Sequence, residues 1–190
     1  PVIENAMAAP ENNAFRQRHG IALDAPVVCV LLGSRKGEVA RLAPPFRETL
    51  ARLESAHPGL VVILPTVPNV AASVRDFGAD CPARAIVVES TADKPTALAA
   101  CNVGLAASGT ATLELSLAGV PLVVAYRLAT LTYLIAKPLM RVRFANLINL
   151  ILDREVVPEF LQGNCRAEKL APALSKLFGP EGARQKEAVQ

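Results

Sequence analysis

Three short stretches of this chain hold residues whose types and spacing could do chemistry. The first, LLGSRKGEV (Leu31 to Val39), leaves an apolar run through a Gly-Ser pair and then presents Arg35 and Lys36. Gly33 permits close backbone approach, the Ser34 hydroxyl donates, and Arg35 can grip a phosphate through two parallel hydrogen bonds. The stretch is neither a Walker A loop nor a GxGxxG fingerprint, and a polar surface turn would account for the same residues. The second, AASGTATLELSLAGVPLVVAYR (Ala106 to Arg127), breaks two apolar runs with Ser108, Gly109 and Thr110. Unpaired N–H groups at the start of a helix there, at its positive dipole end, suit a phosphate. Glu114 follows Thr110 by four residues, so the two share a helix face, and a carboxylate can accept from the paired hydroxyls of a ribose. A plain N-cap with a solvated first-turn acid fits this stretch as well.

The third stretch, NLINLILDREVVPE (Asn146 to Glu159), sets Asn149 among apolar residues and crowds Asp153, Arg154 and Glu155 together. It reads as a loop packed onto something, with an internal Arg–carboxylate pair as the structural alternative. A fourth, YRLATLTYLIAKPLMRVRF (Tyr126 to Phe144), mixes large apolar residues with Arg127, Lys137, Arg141 and Arg143 and holds no acid. It could lie on an anionic membrane surface, or form a helix with a basic outer face that Pro138 ends or kinks. His19 and His57 sit at apparent helix ends and read as structural or solvated. No Ser-His-Asp or Cys-His set is evident. The four cysteines, Cys29, Cys81, Cys101 and Cys165, form no CxxC pair or Cys/His cluster, so no metal is expected. Their spacing favours a reducing, cytoplasmic compartment, with Cys29 and Cys101 acting as small hydrophobes.

These stretches need elements to hold them. The chain has 190 residues, of which 52% are hydrophobic, 19% charged and 4% aromatic. That composition excludes general disorder and implies an aliphatic core. The net charge of +3 permits anionic ligands without requiring nucleic acid, and no nucleic-acid partner is expected. No run reaches the ~18 apolar residues of a membrane span, and no signal peptide is visible.

Short apolar runs at Pro26 to Leu32, Leu60 to Pro65, Ala85 to Val88, Asn102 to Ala107 and Pro121 to Tyr126 read as buried strands. Helical patterns lie between them. Phe46 to Ser55 carries Leu50 and Leu53 on one face, with Pro44 and Pro45 suited to its first turn. Val70 to Phe77 reads as a second helix, and Asp93 with Pro95 as the N-cap and first turn of a third, ending at Ala100. Asn146 to Pro158 reads as loop-rich, and two helices, about Ala167 to Phe178 and Pro180 to Ala188, follow. The alternation predicts an α/β fold, a Rossmann-like parallel sheet with helices on both faces. Ligands of such sheets bind beyond the carboxyl ends of the strands, which is where the stretches lie. The expected divisions are a linker with a first helix over residues 1–22, a nucleotide-sugar domain over 23–179, and a terminal helix or tail over 180–190.

Taken in order, LLGSRKGEV, AASGTATLELSLAGVPLVVAYR and NLINLILDREVVPEFLQ resemble the lipid-A-disaccharide synthases, from about Pro1 to Gly179. The run SGTATLE followed by AGVP is the most distinctive part. Two positions depart from the family pattern: Leu32 stands where Leu-Pro-Gly-Ser-Arg has proline, and Ile148 where Leu-Pro-Asn has proline. The resemblance implies one half of a GT-B glycosyltransferase, the C-terminal, donor-binding half. It implies transfer from UDP-2,3-diacylglucosamine to 2,3-diacylglucosamine 1-phosphate, giving lipid A disaccharide and UDP, without a metal or other cofactor. It implies donor UDP-binding roles for Gly33, Ser34, Arg35, Ser108, Gly109, Thr110, Glu114 and Asn149: the diphosphate on Ser108 to Thr110 and the ribose on Glu114. The acceptor loop and presumed catalytic acid of the family lie in its N-terminal domain, and nothing here matches them, so no catalytic residue is assigned. The implied partners are the two glycolipid substrates, the missing N-terminal domain, the inner-membrane surface, where the enzyme would be peripheral and cytoplasmic, and a second copy in a homodimer. A UDP-sugar 2-epimerase on the same scaffold, and a non-catalytic membrane-surface domain, stand as alternatives.

Overall fold

The computed structural model describes residues 10–107, 109–128 and 144–189. The basic stretch read as a membrane-surface candidate lies mostly outside them, and so does Ser108. Helix α1 (Pro10–Arg18) precedes strand β1 (Val27–Leu31); then follow α2 (Lys36–Ala56), β2 (Val61–Pro65), a 3-10 turn and α3 (Ala71–Ala79). Next come β3 (Arg84–Val88), α4 (Lys94–Ala99), β4 (Val103–Ala107), α5 (Ala111–Leu117) and β5 (Leu122–Tyr126). Helix α6 (Leu147–Leu152), β6 (Glu159–Leu161), α7 (Ala167–Leu177) and α8 (Pro180–Val189) complete the described chain.

The six strands form one parallel sheet in the order β3-β2-β1-β4-β5-β6. The α/β architecture is therefore as expected. Side-chain alternation along β1 divides the core between the two faces. Val28 and Val30 pack with Leu42, Phe46, Leu50 and Leu53 of α2 and with Leu170 and Leu174 of α7. Val27, Cys29 and Leu31 pack with Phe15, Ala97, Leu98 and Leu115 on the other face. Helices on both faces explain why the strands read as unbroken apolar runs. Each buried Val or Leu contributes about 2 kcal/mol by leaving water.

Two expectations are corrected. Pro44 and Pro45 do not open a helix; they lie in the middle of α2, which begins eight residues earlier than the proline reading places it. Their missing N–H groups leave the carbonyls of Ala40 and Arg41 without helical donors. Burial of Val39, Leu42, Pro45, Phe46, Leu50 and Leu53 along one stripe outweighs that loss. The Asn146 to Pro158 region is loop over residues 153–158, as expected, but not throughout. It contains α6, started by the Asn146 side chain accepting from the Ile148 N–H at 3.3 Å, and it feeds a sixth strand of only three residues. Such a short edge strand leaves no period to read. Asp93 holds the N-cap position of α4 with Pro95 in its first turn, as expected, although its carboxylate makes no capping bond and accepts from Arg18 at 2.7 Å.

The outer helices are tied to the sheet by polar side chains. Buried Arg16 of α1 donates to the carbonyls of Ala100, Ala22, Leu23 and Ala25 and to Asn102 Oδ1. Gln185 of α8 brackets Leu122, accepting from its N–H at 2.6 Å and donating to its carbonyl at 3.1 Å. Among the described residues no helix is long and apolar enough to cross a membrane.

Candidate functional site

The chain reverses its direction of winding between β1 and β4, which are neighbours in the sheet and far apart in sequence. Leu31 pairs with Ala106, so the loops leaving these strands start side by side. A crevice at this switch point is where doubly wound sheets take ligands. Two of the three motif stretches therefore meet there.

The loop after β1 is organised around a carboxylate. Gly33 adopts φ +102°, a left-handed conformation that favours glycine. A Cβ there would stand 2.7 Å from Glu38 Oε2. That oxygen accepts from the N–H groups of Ser34 and Arg35, each at 3.2 Å. Arg35 is the extended N-cap of α2, and its Nη1 donates to Glu38 Oε1 at 3.2 Å. The Glu38 side chain is 9% exposed and that of Arg35 79%. The Tyr126 hydroxyl, at the carboxyl end of β5, donates to Oε1 at 3.5 Å. Burial raises the Tyr126 phenol above its ordinary pKa, and the Glu38 charge adds to the shift. Arg41 donates to the Arg127 carbonyl at 3.0 Å, and Arg127 to the Cys165 carbonyl. Several cations thus gather at the carboxyl ends of β1 and β5.

The turn after β4 is differently built. Gly109 takes φ +154° with open space where a side chain would stand. Thr110 holds the N-cap position of α5 without making a side-chain capping bond. The N–H groups of Thr112 and Leu113 already donate to the carbonyls of Gly109 and Thr110, at 3.2 and 3.0 Å. Two of the donors expected for an anion are thus engaged within the turn. Those of Thr110 and Ala111 precede the first such bond. Glu114 Oε2 lies 2.5 Å from Lys94 Nζ at the start of α4, with the carboxylate 46% and the ammonium 27% exposed. The acid read as a ribose clamp therefore carries a cation beside it.

Asn149 is fully buried on α6. Its Nδ2 donates to the Val157 carbonyl and to Glu159 Oε1, both at 2.7 Å. Its Oδ1 accepts from the N–H groups of Val156 and Val157 at 2.8 and 2.9 Å. Both donors and both lone pairs of the amide are thereby used. Glu159 also accepts from the N–H groups of Ala145 and Asn146, at 2.7 and 3.1 Å. Asn146 connects this region to the second turn. Its Oδ1 lies 3.2 Å from Thr112 Oγ1, which donates to the Gly109 carbonyl at 2.7 Å. The Asn146 amide nitrogen is buried without a partner among the described residues. Arg154 does not form the internal carboxylate pair considered from the sequence; its guanidinium reaches the Ala188 carbonyl at 3.5 Å.

The remaining reactive side chains belong to the framework. His57 Nε2 stands 2.8 Å from Ser175 Oγ and its ring lies against Phe178, while the His19 ring lies against Phe15. Burial pushes the Cys29 thiol well above its ordinary pKa, as suits a core hydrophobe. Sequence reasoning missed Glu38, Lys94, Asn146 and Glu159. Glu38 left a readable signal, an acid at the third helical position after the cap, and so did Asn146, an asparagine at a helix N-cap. The other two act across longer sequence separations.

Comparison with known proteins adds the decisive observation. A family model described as lipid-A-disaccharide synthetase matches residues 1–190. The chain belongs to that family. It is 46% identical over 187 residues to the lipid-A-disaccharide synthase of Rhodospirillum centenum, covering 98% of this chain and 47% of that protein. It is 42% identical over 191 residues to the synthase of Paramagnetospirillum magneticum, covering 49% of it. The chain thus spans about half the length of the curated relatives it matches. Among solved structures, it resembles the lipopolysaccharide glycosyltransferase WaaG, with TM-score 0.60, 19% identity, and coverage of 95% of this chain and 45% of that one. A glycosyltransferase from Rickettsia africae matches with TM-score 0.62 at 11% identity, covering 97% and 48%. At those identities the likeness speaks for the fold, which is one half of the GT-B architecture. Lipid-A-disaccharide synthetase membership also agrees with the order of the three motifs along the chain.

Proposed function

We propose that the protein transfers a diacylglucosamine unit from UDP-2,3-diacylglucosamine to 2,3-diacylglucosamine 1-phosphate, releasing UDP, and that this chain supplies the donor-binding half. The observation that carries the reading is the pairing of Leu31 with Ala106, which starts the Arg35 loop and the Gly109–Thr110 turn side by side at the switch point of the sheet. In this reading the diphosphate lies between Arg35 and the turn Ser108 to Thr110, over the backbone of Gly33 and Ser34. Negative charge developing on the departing UDP is stabilised by the Arg35 guanidinium and by the backbone N–H groups of Thr110 and Ala111. Glu114 turns from Lys94 toward the ribose hydroxyls. Asn149 acts from beneath, by holding the loop that borders the crevice. The general base that activates the acceptor hydroxyl is not among these residues.

Family membership favours transfer over the epimerase alternative. Incubation with UDP-N-acetylglucosamine alone separates them, because an epimerase needs no acceptor. The basic, apolar sequence from Tyr126 to Phe144 supports peripheral attachment at the inner-membrane surface. The site is tested by calorimetric titration with UDP. Arg35→Ala and Glu114→Ala are each expected to weaken binding about tenfold, as loss of a charged hydrogen bond would. Unchanged affinity in both variants sinks the assignment.

A further inference from the structure

We propose that Glu38 is a positioning residue: one carboxylate oxygen holds the Gly33–Arg35 turn closed, and the other presents the Arg35 guanidinium to the diphosphate of the donor. The proposal rests on the reading of the crevice as a nucleotide-sugar site.

Helix capping alone does not account for this residue. An acid in the first turn caps a helix equally well from the surface, and a buried carboxylate loses solvation unless strong donors replace the water. Glu38 is buried, and its oxygens divide the work. Oε2 receives the N–H groups of Ser34 and Arg35, which closes the turn. Oε1 receives Arg35 Nη1 and faces the Tyr126 hydroxyl across from β5. Gly33 completes the fit, since any Cβ there would stand within 2.7 Å of Oε2. Arg35 is mostly exposed, yet one end of its guanidinium is anchored to a buried group. An exposed arginine otherwise samples many rotamers, and anchoring reduces what ligand binding must freeze. A guanidinium has five N–H donors, and those not spent on Glu38 stay available for phosphate oxygens. Nearby, Arg41 and Arg127 are each committed to a backbone carbonyl.

Glu38→Gln separates the two tasks. A glutamine oxygen can still accept from the turn, but its amide end repels the Arg35 donors. The purified protein, E38Q, R35A and the E38Q/R35A double variant are titrated with UDP and, as a phosphate-free probe, with uridine. E38Q is expected to weaken UDP about five- to tenfold and uridine less than about twofold. In the R35A background E38Q should add less than about twofold, because its effect passes through Arg35. An undiminished loss in that background, an equal loss for uridine, or unchanged UDP affinity in E38Q overturns the proposal. Failure of the wild-type protein to bind UDP, or unchanged affinity in R35A, overturns the crevice reading itself. Should E38Q not fold, the wild-type protein decides: nitrogen relaxation at Arg35 Nε should report a restrained side chain, and free motion overturns the idea.

Discussion

The loop after β1 and the loop around α6 are both held by a carboxylate, and they do opposite things with it. Glu38 accepts backbone N–H groups with one oxygen and leaves a guanidinium standing in solvent. Glu159 also accepts backbone N–H groups, but its remaining capacity meets Asn149, whose amide is spent entirely within the chain. One device ends in an exposed cation with donors to spare, the other in a closed hydrogen-bond network. Two residues that resemblance alone treats alike, Arg35 and Asn149, therefore differ physically. Arg35 keeps guanidinium donors in solvent, as the proposed donor site requires. Asn149 has no donor or lone pair left to offer and holds its own loop together.

Substitutions that separate stability from binding test this contrast. Asn149→Ala should have the largest effect on folding. It strands one buried and one half-buried N–H group, a carbonyl and part of the Glu159 carboxylate, and should cost about 3 kcal/mol or more in chemical denaturation. A loss below about 1 kcal/mol would break the comparison by leaving Asn149 free for another role. Gly33→Ala should cost about 2 kcal/mol, combining left-handed strain with the clash against Glu38. Its UDP affinity should fall as well, whereas a destabilised protein with intact affinity would detach the Gly33–Glu38 fit from the site. The smallest effect belongs to Tyr126→Phe. The folded phenol titrates above its ordinary value near 10, so the folded state retains a proton that the unfolded state loses. Stability from this residue is present below that pH and declines as pH rises through the folded value. Melting temperatures of wild type should fall more steeply above about pH 10 than those of the variant. Parallel curves would remove Tyr126 from the Glu38 group.

The central strands β1, β2, β4 and β5 were legible because they are buried on both faces, which writes itself as a continuous aliphatic run. The βαβ alternation and the turns at Gly33 and Gly109 were legible for a related reason. Backbone that turns sharply or comes close to a ligand needs glycine, and glycine interrupts a hydrophobic pattern visibly. Family membership was readable in the order and spacing of three motifs. Other features were hidden. Pro44 and Pro45 signal a helix start locally, yet a long buried stripe carries α2 straight through them. Strand β6 is too short to have a period.

The sequence by itself determined the layered α/β class, the two glycine turns after β1 and β4, and the family. Tertiary structure decided what each polar side chain of those motifs faces. It set Glu114 against Lys94, joined Asn149 to Glu159, and placed Leu31 beside Ala106 across the sheet. Local spacing records backbone conformation and burial, because both act within a few residues. The partner of a carboxylate or an amide is chosen by strand order and packing, which bring together groups that no short window contains.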